Sequence, residues 1–278
     1  SMVPSPPPSL RAAPRRTIQI AVDDRAGTHS PEELSALDLD ITGPEPSDRL
    51  RPSLENPNQP FAYAPDGDDG ARSKLGLALD VNVDGNNSLA GFNGEDGAYA
   101  IGSAQQKDVG FDPDTGIRWG RWSGGDALIA GEDVSLQDRS LAWIYGPAFD
   151  DAPALPLSGS AEFTLSGNTS PTDTAGNIGF LGAANLTANF SDQTVFSSLS
   201  LGIGNSVWDA SGSGTLSPDS GLFGGTYDVL IDSSGTGSGQ FNGFVLPDAS
   251  GAGLGYSLTD GESTISGTAA FRANEVAP

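Results

Sequence analysis

The chain of 278 residues contains no cysteine, one histidine, one methionine and only two lysines. Without cysteine there is no disulfide, no thiolate nucleophile and no Cys-ligated metal. That absence is neutral between cell compartments, so export stays open. A Ser-His-Asp triad or a multi-histidine metal site would have to be built around His29, in the least regular part of the chain. No serine lies within Gly-x-Ser-x-Gly, and neither Lys74 nor Lys107 sits in a phosphate-loop context. No apolar run approaches the roughly 18 residues of a membrane-spanning helix.

Positive charge is scarce as well. Lys and Arg total 13 against 36 Asp and Glu, a net charge of −23. Such a surface repels nucleic-acid phosphates and anionic lipid headgroups, which argues against nucleic acid as a partner and against direct membrane insertion. It attracts Ca²⁺ or a basic protein surface instead. With 36 acids some carboxylates must lie at glycosidase spacing by chance, so paired-carboxylate hydrolysis receives no signal from composition.

What the chain has is glycine, 38 residues, and proline, 20. Both favour strands and turns over long helices. Ser1-Met2 reads as a cloning remnant, so any native signal peptide, lipid-anchor cysteine or upstream domain would lie ahead of this start. Residues 1–16 with Pro4-Ser5-Pro6-Pro7-Pro8 form a stiff linker, and residues 17–72 a segment of short elements. Within that segment Thr17-Ile18-Gln19-Ile20-Ala21-Val22 alternates like a strand. Ser30-Pro31-Glu32-Glu33 carries helix-start signals, and residues 42–69 read as loop.

Residues 73–157 form a β-rich region. Leu75, Leu77, Leu79, Val81 and Val83 occupy alternate positions and run into the hairpin pair Asp84-Gly85; further strands are predicted at 97–103, 116–122 and 140–145. Residues 158–278 alternate more regularly. The inward sets are Ala161, Phe163, Leu165; Leu186, Ala188, Phe190; Val195, Leu199, Leu201, Ile203; Leu222, Tyr227, Val229, Ile231; Phe241, Gly243, Val245; Tyr256, Leu258; and Ile265, Gly267, Ala269, Phe271. With Val207 and its neighbours they make about eight strands joined by short turns such as Asp192-Gln193 and Asp260-Gly261. A helix-free meander of eight protects its edges by closing into an up-and-down antiparallel barrel, with an open sandwich as the competing architecture. Phe163, Leu201, Val229, Phe241 and Phe271 are the expected interior.

The last strands carry a further signal: Gly239-Gln240-Phe241-Asn242-Gly243-Phe244, the corner Pro247-Asp248-Ala249, the hairpin Gly251-Ala252-Gly253, and the closing Gly267-Thr268-Ala269-Ala270-Phe271. This pattern resembles the end of the barrel in transferrin-binding-protein-B-like surface proteins of Gram-negative bacteria. Residues 158–278 carry the resemblance, and residues 73–157 match the mixed handle-like region of such proteins more loosely. Gly167-Asn168-Thr169-Ser170-Pro171 and Leu186-Thr187-Ala188-Asn189-Phe190 also resemble barrel segments at the C-termini of large envelope proteins, some with a FecR-type signalling domain upstream. The chain departs from the receptors where an acid should follow Ala249, for it has Ser250-Gly251, and it has one lobe where they have two. The resemblance implies an extracytoplasmic module, at the outer-membrane surface, secreted or periplasmic.

Two sets of residues are candidates for binding. Asp80, Asn82 and Asp84, followed by Gly85, fit the opening of a calcium loop, although Gly91 stands where the bidentate Glu belongs. The same acids also fit the solvent face of a strand, and calcium is the one cofactor the sequence raises. Asp66-Gly67-Asp68-Asp69-Gly70 is a looser acidic cluster. Arg118, Trp119, Arg121 and Trp122, with Trp143, form an aromatic and basic set that suits ligand stacking. It equally suits a structural role in which Trp119 and Trp143 anchor the handle to the barrel. Turn acids Asp173, Asp192, Asp232 and Asp260 are expected to steer a basic partner from loop tips. The function these readings favour is non-catalytic recognition of a protein partner, or envelope signalling, within a larger exported protein. A carbohydrate- or haem-binding surface module is the alternative, and a glycan-active enzyme a third.

Overall fold

A computed structural model describes residues 59–65, 74–94, 97–147, 155–156 and 158–274, with backbone alone for 59–65 and 74–80. The linker at 1–16, the strand at 17–22, the helical turn near 30–34 and the acidic run at 66–70 lie outside the described residues. Among the described residues every regular element is a strand.

The first sheet contains β1 (Gln59–Pro65), β2 (Lys74–Val83), β3 (Leu89–Gly94), β4 (Gly97–Ala100), β5 (Gln105–Phe111), β6 (Arg118–Ser123), β7 (Asp126–Ile129), β8 (Glu132–Ser135) and β9 (Ser140–Tyr145). Its order is β5-β6-β9-β1-β2-β3-β4-β7-β8. The strand predicted at Leu75 to Val83 and the hairpin at Asp84-Gly85 are present, with Asn87 taking the left-handed conformation that the turn needs and Val83 40% exposed at the strand's end. Gln59–Pro65 is a strand where the residues read as loop, because its backbone is paired on both sides by β2 and β9. Tertiary pairing there overrides a Pro- and Asn-rich local sequence. The sheet curls until β3 meets β6. Phe92 stacks on Tyr99 at 4.4 Å and tilts against Trp122 at 6.3 Å, and the Trp122 indole N–H donates to the Leu89 carbonyl at 3.0 Å.

The second sheet is a barrel of eight long antiparallel strands: β10 (Ser160–Asn168), β12 (Phe180–Asn189), β13 (Thr194–Ile203), β14 (Ser206–Leu216), β15 (Leu222–Ile231), β16 (Gly235–Val245), β17 (Gly251–Thr259) and β18 (Thr264–Ala273). Each pairs with its neighbour in sequence, and β10 closes on β18. The short β11 (Thr172–Asp173) lies along β18 beyond β10, so the two together line one edge of the closing strand. Closure removes the free edges that a sheet without covering elements leaves exposed.

The interior is filled by side chains. Phe163, Leu201, Val229, Phe241 and Phe271 are all buried, as the alternation requires, and Leu186, Leu199, Trp208, Tyr227, Leu254 and Tyr256 join them. On β14 the phase differs from the sequence reading around Val207: Trp208 points inward and Val207 is 48% exposed. Large rings fit because glycines stand opposite them. Phe223 pairs with Gly243, Phe241 with Gly225 and Tyr256 with Gly267, and each ring lies where a Cβ would be on its partner. Within this core the Tyr227 and Ser197 hydroxyls hydrogen-bond at 2.6 Å. Burial pushes the Tyr227 and Tyr256 phenols up, so both stay neutral at physiological pH.

Phe241 is wholly buried, 4.6 Å from Tyr227 and 6.2 Å from Phe223 between ring centroids. Phe241→Ala is expected to lower unfolding free energy by about 3–5 kcal/mol in urea titration. Gly225→Ala should also destabilise, because its Cβ would fall 2.5 Å from both the Phe241 ring and the Ser213 carbonyl oxygen. An unchanged urea midpoint in either variant would contradict the ring-on-glycine packing.

Candidate recognition surface and the handle–barrel joint

β17 and β18, with the C-terminal end of β16, bury both faces, because the first sheet packs on the outer wall of the barrel there. On the barrel side the outward residues are small: Gly253, Gly255, Ser257, Ser266, Thr268 and Ala270. Phe244 fills the dip over Gly253. From the handle, Ile117, Trp119 and Ile144 close against Phe244, Leu246 and Ala270 to form one apolar cluster.

Trp119 is the centre of this joint. Its ring lies over Gly110, its cross-strand partner on β5, and also over Gly167 on β10, where an added Cβ would come within 2.0 Å of the indole. A bulge at Leu165/Gly167 shifts β10 by one residue just before that contact, which is the usual use of a bulge. Trp143 does not reach the barrel. It packs over Gly120 inside the handle's own core with Trp122 and Tyr145. The structural role expected of the tryptophans therefore divides: Trp119 joins the two sheets, and Trp143 and Trp122 stabilise the first.

This placement favours the structural role over ligand stacking for the tryptophans. Trp119, Trp122 and Trp143 are 8%, 0% and 0% exposed, so none offers a face to a ligand. Arg121 is also buried, and its Nε donates to Asp108 at 3.0 Å. The Asp108 carboxylate accepts a second hydrogen bond from the Ser170 amide of the barrel, also at 3.0 Å. Asp108 reaches both because it sits at a positive-φ bulge in β5. Arg118 alone is partly open, lying 4.0 Å over the Phe111 ring.

The joint has an ionic lock that the sequence did not reveal. Arg272 on β18 donates to Asp112 at 2.6 Å and to Asp114 at 2.5 Å, both in the turn between β5 and β6. Asp112 is buried and also accepts the amides of Asp114 and Thr115. Burial alone would push its carboxyl up. The hydrogen bonds from Arg272 and Asp114 outweigh that and hold it below the ordinary carboxylate value. Nothing in local sequence links residues 160 apart. Beside the joint, Lys107, Arg121, Arg139, Asp138 and Asp173 line a small cleft of about 200 Å³.

The calcium candidates resolve differently. Asn82 is exposed on β2, and the Asp80 side chain lies outside the described residues. One Asp84 carboxylate oxygen is committed to the turn, accepting the amides of Asn86 and Ser88 at 2.8 and 2.9 Å. No group of three or more His, Cys, Asp or Glu that could hold a metal occurs among the described residues.

The turn acids are more structural than a steering role requires. Asp173 is buried and holds the amides of Ala175 and Asn177 and the Asn177 side chain. Asp232 accepts the Val207 amide, and Asp260 accepts those of Glu262 and Ser263. These backbone hydrogen bonds hold both carboxyls below their ordinary value. Asp192 is exposed and accepts from the Asn189 amide group at 2.7 Å.

The open surface lies elsewhere, on the outer wall of β12–β15. Ser198, Ser200, Ser211 and Ala183 form the floor of a shallow groove of about 530 Å³, with Asn185, Asp209 and Asp228 beside them. Phe180 and Phe196, 67% and 48% exposed, stand at its two ends. Phe196 was legible, since the inward alternation of Val195, Leu199 and Leu201 leaves it outside. Phe180 lies just ahead of the register shift between Leu181 and Ala183, where Gly182 was the one sequence signal of a bulge. No known family model matches the sequence, and no curated protein matches it significantly.

Trp119→Ala is expected to cost about 3–5 kcal/mol and to expose the joint to limited proteolysis. The Asp112 lock has a definite pH sign. Its lowered folded value gives stability that is present above about pH 4, the unfolded carboxyl value, and drains as pH falls through the folded one. Asp112→Asn should therefore unfold more easily than wild type at neutral pH, with the gap narrowing in acid. A gap that widens below pH 4 in urea titrations would contradict the assignment.

Proposed function

We propose that the chain is a non-catalytic recognition module that works outside the cytoplasm as part of a larger exported protein and binds a protein partner. The observation that carries this reading is the filled barrel. With Phe163, Leu186, Leu199, Trp208, Tyr227, Phe241 and Phe271 packed inside, a ligand must meet the outer wall or the loops. That arrangement favours a protein surface over haem enclosed in the barrel.

The outer wall of β12–β15 supports the same reading. Its outward residues are largely Ser, Thr, Asn and Asp, whereas a lipid-facing barrel carries an apolar band outside and polar groups within. The resemblance to transferrin-binding-protein-B-like modules supports placement at the outer-membrane surface, in the periplasm or in the medium. The carbohydrate alternative moves from the tryptophans to Phe180 and Phe196, the rings that are open to stacking. For the enzyme alternative, Asp209 and Asp228 lie diagonally across β14 and β15, on an open wall that does not exclude water.

The test is immobilisation of the 278-residue chain and challenge with a panel of purified basic proteins, neutral oligosaccharides and haem. Retention of basic proteins that falls steeply between about 0.05 and about 0.5 M salt is expected, since screening shortens the reach of surface charge. Retention of glycans alone, indifferent to salt, would replace this reading with the carbohydrate one.

A further inference from the structure

We infer that the groove on the outer wall of β12–β15 is a docking site for an extended, basic and apolar peptide segment of the partner, an inference that rests on the protein-recognition reading above. The strand registers place its parts. Phe180 pairs with Gly202, which pairs in turn with Val207, so the Phe180 ring lies across Gly202 toward Val207. Leu230 pairs with Asp209 one row further along. Phe180, Val207 and Leu230 are each more than two-fifths exposed and make one apolar end to the groove.

The floor is low because Ala183, Ser198, Ser200 and Ser211 stand between taller residues. Phe196 rises at the other end, on the same face of β13 as Ser198, Ser200 and Gly202. Six residues of strand separate Phe196 from Gly202, or roughly 20 Å, the length of about six residues of extended peptide. An alternating peptide fits such a site, with apolar side chains at the phenylalanines and intervening ones over the serines.

Charge selects the occupant. The charged side chains lining the groove are Asp209 and Asp228, and no cation lines it. The Ser200 hydroxyl donates to one carboxylate oxygen of Asp209 at 2.7 Å, and the carboxylate keeps its negative charge toward the groove. In a chain of net charge −23, these acids favour Lys or Arg, and they repel a second copy of the chain and an acidic peptide. A neutral glycan would gain nothing from them.

The test uses the 278-residue chain labelled with ¹⁵N. The probes are a short acetylated peptide of alternating lysine and valine, the matching glutamate and valine peptide, and maltohexaose. The lysine peptide is expected to shift amides of β12–β15 in NMR titration, and the other two probes to leave them in place. Asp209→Asn with Asp228→Asn should weaken binding about tenfold, worth about 1.4 kcal/mol. Phe180→Ser should weaken it several-fold with circular dichroism unchanged. The control is Glu132→Gln with Asp133→Asn, which removes equal charge from β8 and is expected to change affinity less than twofold.

Equal losses in both charge pairs, or shifts confined to other strands or loops, would overturn the groove and leave recognition of basic partners standing. Absence of lysine-peptide binding at any surface, or binding of maltohexaose alone, would overturn both.

Discussion

One indole holds the described body together. Trp119 stands between Gly110 of its own sheet and Gly167 of the barrel, with its ring where either glycine would otherwise carry a side chain. Everything else at the joint follows from that approach. The sheets come close enough for Ile117 and Ile144 to meet Phe244, Leu246 and Ala270, and for Arg272 to reach Asp112 and Asp114. Ser140 and Thr172 add a hydroxyl contact at 2.5 Å. Fully buried apolar contact and a charge pair with one buried partner thus support the same geometry, and the glycines are the condition for both.

The same device recurs through the chain. Phe223 on Gly243, Phe241 on Gly225, Tyr256 on Gly267, Phe244 on Gly253 and Trp143 on Gly120 are all cross-strand pairs. A strand glycine normally weakens a sheet, since it gives up entropy and packs no side chain. Here a neighbouring ring covers it, so the glycine becomes a seat for a side chain too large for an all-branched core. This explains why a chain with 38 glycines supports long, well-paired strands, and why its interior has large aromatics filling the barrel.

Strand periodicity made the barrel legible, because one buried face imposes a period of two on every strand. Residues such as Phe163, Leu201, Val229, Phe241 and Phe271 could be placed inside from alternation alone. The handle was less legible. Gln59–Pro65 lies in a Pro- and Asn-rich stretch and becomes a strand through two neighbours distant in sequence. The candidate site divides in the same way. Arg118, Trp119, Arg121, Trp122 and Trp143 stood out by type, yet type does not tell a ring in solvent from one seated on glycine. Asp112 with Arg272 is a long-range pair with no local signature, whereas the outward positions of Asp209 and Phe196 follow from the inward phase of their neighbours.

The position of β18 in the chain order has a consequence for biogenesis. This strand closes the barrel against β10, pairs with β17, supplies Ala270 to the apolar joint and carries Arg272. A nascent chain that has emerged only as far as β17 has an open sheet and a handle whose counter-face, lacking Ala270 and Arg272, is incomplete. Neither half can reach its final packing until β18 arrives, and its contacts with β10 and Asp112 span more than a hundred residues. Long-range closure of this kind is slow. Until β18 arrives, the edges of β10 and β17 stay open to pairing with other chains, so the last strand also ends the period in which misassembly threatens.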